Sequence, residues 1–122
     1  MTNEALISNA PKKDYNLEER TALFGEAIID FAKSLQKNTV TLPLINQIIR
    51  SGTSVGANYM EADGASTKKD FCHKISICRK EAKETRHWLR MIAHADPEKA
   101  DRARFLWKEA QELVLIFSSI LK

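Results

Sequence analysis

Two carboxylate–histidine spacings are the first residues to test for chemistry. Glu84 and His87 stand three apart, and so do Asp70 and His73. At that spacing on a helix the two side chains share a face, the pattern by which di-iron bundles hold metal. Such a site needs a second copy of the motif on another helix and two further inward glutamates. Here both copies fall in one continuous helical stretch, and His87 lies off its apolar face, so no metal site is expected. Cys72 and His73 are sequence neighbours that point in different directions on a helix, a poor nucleophile–base pair. Cys72 and Cys78 would lie roughly 9 Å apart along a helix axis, too far for a disulfide. Two free thiols suit a reducing compartment. Gly52 and Gly56 fall inside a helical stretch rather than after a strand, so they do not form a phosphate-cradling loop. No constellation supports catalysis, and no cofactor is expected.

Charge is more informative. Between about residues 67 and 95, Phe71, Ile75, Cys78, Ala82, Leu89 and Ile92 share one helical face and read as core. One flank of that face carries Lys74, Ile77, Glu81, Glu84 and Trp88. The other carries Lys68, Arg79, Lys83, Arg86 and Arg90 with no acid among them, and Lys69, Lys80 and His87 could widen it. A helix built only for solubility more often interleaves opposite charges four residues apart. Successive cations on one ridge could track a phosphate backbone, the source of most nucleic-acid affinity. Against this stands a solvated face, since the formal net charge is only +3. On the mixed flank Trp88 suggests a protein interface, where Trp is enriched. Alternatively Trp88 seals the core edge and Glu81 pairs with Lys74 or Arg50.

These surfaces need a scaffold, and the 122 residues read as one domain. Residues 1–15 read as a flexible tail. Asn16 is placed to cap a helix with Glu19 three residues on, and Phe24, Ile28, Phe31 and Leu35 give that helix, about 17–36, an apolar face. Thr41 is placed to cap a second helix, 41–63, with Pro43 in its first turn. A turn at 64–66 leads to a third helix, 67–95. Asp96 then caps a fourth, 97–121, with Pro97 at its first position; Ala103, Leu106, Ala110, Leu113, Phe117 and Ile120 form its three–four seam. Four amphipathic helices with short connections predict an all-α, antiparallel up-down-up-down four-helix bundle. Hydrophobic residues make up 43% of the chain, but no apolar run nears the roughly 20 residues that span a membrane. The N-terminus lacks the pattern of a signal peptide, so no membrane association and a cytoplasmic setting are expected.

The second helix carries poor helix formers in the stretch IIRSGTSVGANYMEA, Ile48 to Ala62. Leu44, Ile45, Ile48, Gly52, Val55, Tyr59 and Ala62 gather on its core side, and Gly52 and Gly56 would let a neighbouring helix come close. Arg50 and Glu61 exclude the membrane context in which that glycine spacing drives dimers. The opposite side carries Arg50, Ser54, Ala57 and Glu61, with Asn58 at its edge. It reads either as a mixed solvated face or as a contact surface for another subunit.

Arg50-Ser51, Ser54-Val55, Ala57-Asn58, Glu61, Asp70-Phe71, Lys74, Glu81, Glu84 and Trp88-Leu89 together resemble the bacterial four-helix bundle family first described as proteins encoded in intervening sequences of 23S ribosomal RNA genes. The likeness runs from about Leu17 to the last helix. It implies a homopentamer without enzymatic activity. The accessory protein of diversity-generating retroelements, a related branch, looks like a basic pentamer that associates with a reverse transcriptase and nucleic acid; the likeness here is closer to the intervening-sequence branch. Motif positions on outward faces favour Arg50, Ser54, Ala57, Asn58, Glu61, Lys74, Ile77, Glu81, Glu84 and Trp88 as a subunit interface. Lys68, Arg79, Lys83, Arg86 and Arg90 are the candidate surface for RNA or DNA. A homo-oligomeric adaptor for a nucleic-acid-handling protein, without direct nucleic-acid contact, is the alternative.

Overall fold

The computed structural model describes residues 16–122, and the expected tail over residues 1–15 lies outside the described residues. Helix α1 spans Leu17–Ser34. Asn16 does not cap it as expected. Its backbone is left-handed, with φ 46° and ψ 57°, and its side chain makes no capping hydrogen bond. A side-chain cap needs the extended backbone that Asn16 lacks. The helix also stops sooner than its periodicity suggests, because Leu35 turns extended (ψ 143°) and buries its side chain in the core.

Helix α2 spans Thr41–Asp63. Asn38, not Thr41, supplies its cap: the Asn38 Oδ1 accepts the backbone N–H groups of Val40 and Thr41, both at 2.9 Å. Thr41 ties the connector from the other side, donating its hydroxyl to the Gln36 carbonyl at 2.6 Å and accepting the Asn38 N–H at 3.0 Å. Such local side-chain bonds replace the missing helical partners of the first turn. Helix α3 spans Lys68–Ala95, and Thr67 caps it by accepting the Asp70 N–H at 3.0 Å. After Asp96 the chain makes a 3₁₀ turn over Pro97–Lys99 before α4, Ala100–Ile120. The fourth helix therefore begins three residues later than its sequence suggests. Proline at 97 biases Asp96 away from helical backbone, and Asp96 makes no side-chain cap.

The four helices run alternately up and down. Across α1 and α2, Ile28 meets Gly52 and Thr21 meets Gly56. Across α2 and α3, Arg50 meets Glu84 and Glu61 meets Lys74. Across α3 and α4, Arg79 meets Ser118 and Arg86 meets Gln111. In each of these three seams one residue number rises as its partner's falls, the signature of antiparallel neighbours. The seams α1–α2, α2–α3 and α3–α4 are extensive, and the α1–α4 closure is the thinnest.

The expected faces supply the core. Phe24, Ile28 and Phe31 of α1, Ile45, Ile48 and Val55 of α2, Ile75, Ala82 and Leu89 of α3, and Leu106, Leu113 and Phe117 of α4 are all buried. Leu44, Tyr59, Phe71 and Ile120 pack against this core while half-buried. Gly52 explains the weak helix formers of α2. A Cβ there would stand 2.8 Å from Cγ2 and 2.9 Å from Cγ1 of Ile28, so only glycine allows α1 this close. The helix-propensity cost of about 1 kcal/mol is offset by burying Ile28, worth about 1.5–3 kcal/mol.

One buried feature has no counterpart in the sequence-based expectations. Arg20 of α1 and Glu109 of α4 are only 1% and 5% exposed and pair through two hydrogen bonds, Nε to Oε2 at 3.1 Å and Nη2 to Oε1 at 3.0 Å. Burial pushes the Glu109 carboxyl above its ordinary range, while the hydrogen bonds and charge of Arg20 oppose that rise. The pair bridges the thinnest seam.

Glu109→Ala should cost about 3–5 kcal/mol in urea denaturation, because it strands a buried guanidinium. Arg20→Met combined with Glu109→Leu should recover most of that loss; a single-site cost below about 1 kcal/mol would contradict a buried pair. Gly52→Ala should destabilise by about 1–3 kcal/mol through overpacking. Its effect in an Ile28→Ala background should be smaller, since the new methyl then enters vacated space.

Candidate nucleic-acid and subunit surfaces

Helix α3 carries two differently equipped flanks because its neighbours answer them differently. Toward α2, the charges of the mixed flank are paired within the chain. The Arg50 guanidinium reaches Glu81 (Nη1 to Oε1, 3.2 Å) and makes a short contact with Glu84. Glu84 also accepts the Trp88 indole N–H at 2.9 Å, and Gln47 accepts the Arg50 Nε–H at 3.1 Å. Lys74 pairs with Glu61 at 2.6 Å. Ser54 and Asn58 bond α2's own carbonyls, those of Arg50 at 2.6 Å and Ser54 at 2.8 Å. Ala57 is exposed and Ile77 half-buried. Beneath this network Thr85 donates to the Ser51 hydroxyl at 2.9 Å, both side chains fully buried.

The structure thus gathers Arg50, Glu81, Glu84 and Trp88 into one cluster, with Glu61–Lys74 further along the same seam. Their side chains stitch α2 to α3 within the one chain. Arg50 is 44% exposed, so each ion pair contributes about 0–1 kcal/mol. The network leaves one side open to solvent. Glu84 is committed to Arg50 and Trp88, and His87 stacks edge-on against Trp88 with centroids 4.8 Å apart. Among the described residues, no group of three or more His, Cys, Asp or Glu could hold a metal ion, and no helix is long and apolar enough to cross a membrane.

Toward α4 the picture reverses. Arg79 donates weakly to the Ser118 hydroxyl at 3.4 Å. Arg86 donates to Gln111 and lies over the Trp107 ring, 5.5 Å from its centroid. Its Nε is buried without a hydrogen-bond partner among the described residues. Lys68, Lys83 and Arg90 are exposed. Among the described residues, no carboxylate lies within ion-pair distance of Lys68, Arg79, Lys83, Arg86 or Arg90. The partners offered by α4 are neutral, so the ridge keeps its charge. Two of its arginines are half-buried against α4, which the wheel of α3 alone could not show.

Sequence reasoning missed Trp107, Gln111 and Ser118, whose contributions depend on how α4 faces α3. It also missed Arg20 and Glu109, although a signal existed. Arg20 stands four residues before Phe24 on the apolar face of α1, and Glu109 stands between Leu106 and Leu113 on that of α4. Lone opposite charges on two apolar faces mark a buried pair.

The family model described as 23S rRNA-intervening sequence protein matches residues 13–119. Among solved structures, the chain is similar to a protein of unknown function from the S23 ribosomal protein family of Bacteroides thetaiotaomicron, with a TM-score of 0.80 and 30% identity, covering 87% of this chain and 98% of that one. A comparison with curated proteins found no match.

The thiols give this face a direct check. Cys78 is fully buried, donates to the Val55 carbonyl at 3.5 Å, and has its pKa pushed up to about 12, chiefly by burial. Cys72 is half-buried. Since the thiolate is the reactive form, a disulfide-exchange reagent should titrate at most one thiol per native chain at pH 8 and two in denaturant. Rapid modification of Cys78 in the native protein would contradict its placement.

Proposed function

The chain belongs to the 23S rRNA-intervening sequence protein family, and from that premise we propose that it is a non-enzymatic homo-oligomer that binds nucleic acid through basic surfaces pooled across subunits. The observation that carries this reading is the unneutralised ridge of α3. Residues 16–63 hold four bases against six acids, whereas residues 64–122 hold thirteen against eight. The net positive charge is therefore concentrated on the α3–α4 half, where Lys68, Lys83 and Arg90 stand exposed and without an ion-pair partner among the described residues. Affinity of this kind comes from releasing condensed counterions and is sequence-independent.

A single ridge of this size makes few phosphate contacts. Assembly multiplies them and sums the fields of several ridges. The family likeness implies five subunits, and the open side of the Arg50–Glu84–Trp88 network is the contact surface we assign. Small side chains at Ser54 and Ala57 would permit close approach there, while Arg50 and Glu61 at its ends keep polar groups at a rim, as interfaces commonly do.

Titration of labelled RNA and DNA at two salt concentrations, with the mass in solution measured on the same sample, tests both parts. An oligomer should bind with affinity that falls steeply as salt rises. Lys68→Glu with Lys83→Glu, two exposed positions, should weaken binding to every sequence and lower the slope of log affinity against log salt by about 1.4–1.8, or roughly 0.7–0.9 per lost phosphate contact. Binding that ignores both salt and these substitutions would sink the reading, and a well-formed oligomer that binds no nucleic acid would favour the adaptor.

A further inference from the structure

Near the Arg90 end of the basic ridge the α3–α4 seam opens into a groove of about 320 Å³. Leu89, Ala93, Ala100 and Ala103 lie along it, and the Trp107 indole and the side chains of Arg90 and Arg104 complete its lining. Trp107 is 37% exposed and lies outside the hydrophobic core cluster. The Arg86 guanidinium over its ring holds the indole plate against the seam and adds positive charge beside it. Arg104 is paired with Asp101 at 3.0 Å. Arg86 and Arg90 have no ion-pair partner among the described residues.

An exposed aromatic plate, small residues around it and unneutralised cations beside it are what a nucleobase with its phosphate requires. We propose that this groove holds one unpaired base of a single-stranded nucleic acid, stacked on Trp107, with the neighbouring phosphates against Arg90 and the ridge beyond. This rests on the nucleic-acid reading above and adds strand state to it. Every base offers a π-face, so stacking is sequence-tolerant. In a duplex that face is covered by the adjacent base pairs, so the groove selects unpaired strands. The charge beside the groove singles out an anionic polymer over a neutral apolar peptide as its occupant.

The test uses the full chain and a labelled 12-nucleotide strand, as RNA and as DNA, each alone and annealed to its complement at fixed salt. Trp107→Ala should lower affinity for the single strand about 5- to 100-fold, the loss of one base stack. Duplex affinity and the salt slope should stay unchanged, and Trp107→Phe should restore most of the loss. Unfolding midpoint and solution mass of each variant separate a lost stack from a lost fold or a lost assembly. An unchanged single-strand affinity, an equal loss on both strand states, or a variant that falls apart as an oligomer overturns the base groove. Wild-type protein that binds duplex alone overturns the groove and leaves the ridge standing; wild-type protein that binds neither strand state overturns both. Lys68→Glu with Lys83→Glu should weaken both strand states alike, which marks the ridge apart from the groove.

Discussion

A charge taken out of water has to meet its opposite, and the Arg20–Glu109 pair imposes that demand on the whole bundle. The two residues lie 89 positions apart and join the first helix to the last across the seam with least packing. A buried pair adds little net stability over an apolar pair of similar shape, because desolvation offsets the attraction. It does penalise every arrangement in which the two side chains fail to meet. On its other face α1 meets α2, with Ile28 seated over Gly52. The tight α1–α2 approach and the α1–α4 closure are thus two sides of one placement.

Most of this architecture was legible in the sequence because helical periodicity is a local property. The spacing of Phe24, Ile28 and Phe31, or of Leu106, Leu113 and Phe117, exposes a face without reference to anything distant, and the predicted helices appear with small shifts at their ends. The shifts have particular causes. Asn38 captures the first N–H groups of α2 from within the connector, which a cap search confined to Thr41 could not see. Pro97 shapes a 3₁₀ turn before α4. The candidate surfaces were legible as residue types but not as environments. On a wheel, Arg79 and Lys83 look alike. In the fold, Arg79 leans on Ser118 and Lys83 stands in solvent.

Helix α3 is shared by two seams that treat charge oppositely. On its α2 side, Glu81 and Glu84 share Arg50, and Lys74 finds Glu61, so each of these acids has a basic partner. On its α4 side, cations meet a serine, a glutamine and an indole. A helix can therefore be fully satisfied structurally on one flank and electrically uncompensated on the other. That asymmetry gives the bundle a direction.

The direction has a consequence before any contact is made. With acids outnumbering bases over residues 16–63 and bases outnumbering acids over residues 64–122, the described chain is an electric dipole set across the long axis of the bundle. In the field of a polyanion it experiences a torque as well as a pull, felt over about 8–10 Å at ordinary ionic strength. Such a field favours orientations with the α3–α4 side toward the polyanion before any contact forms.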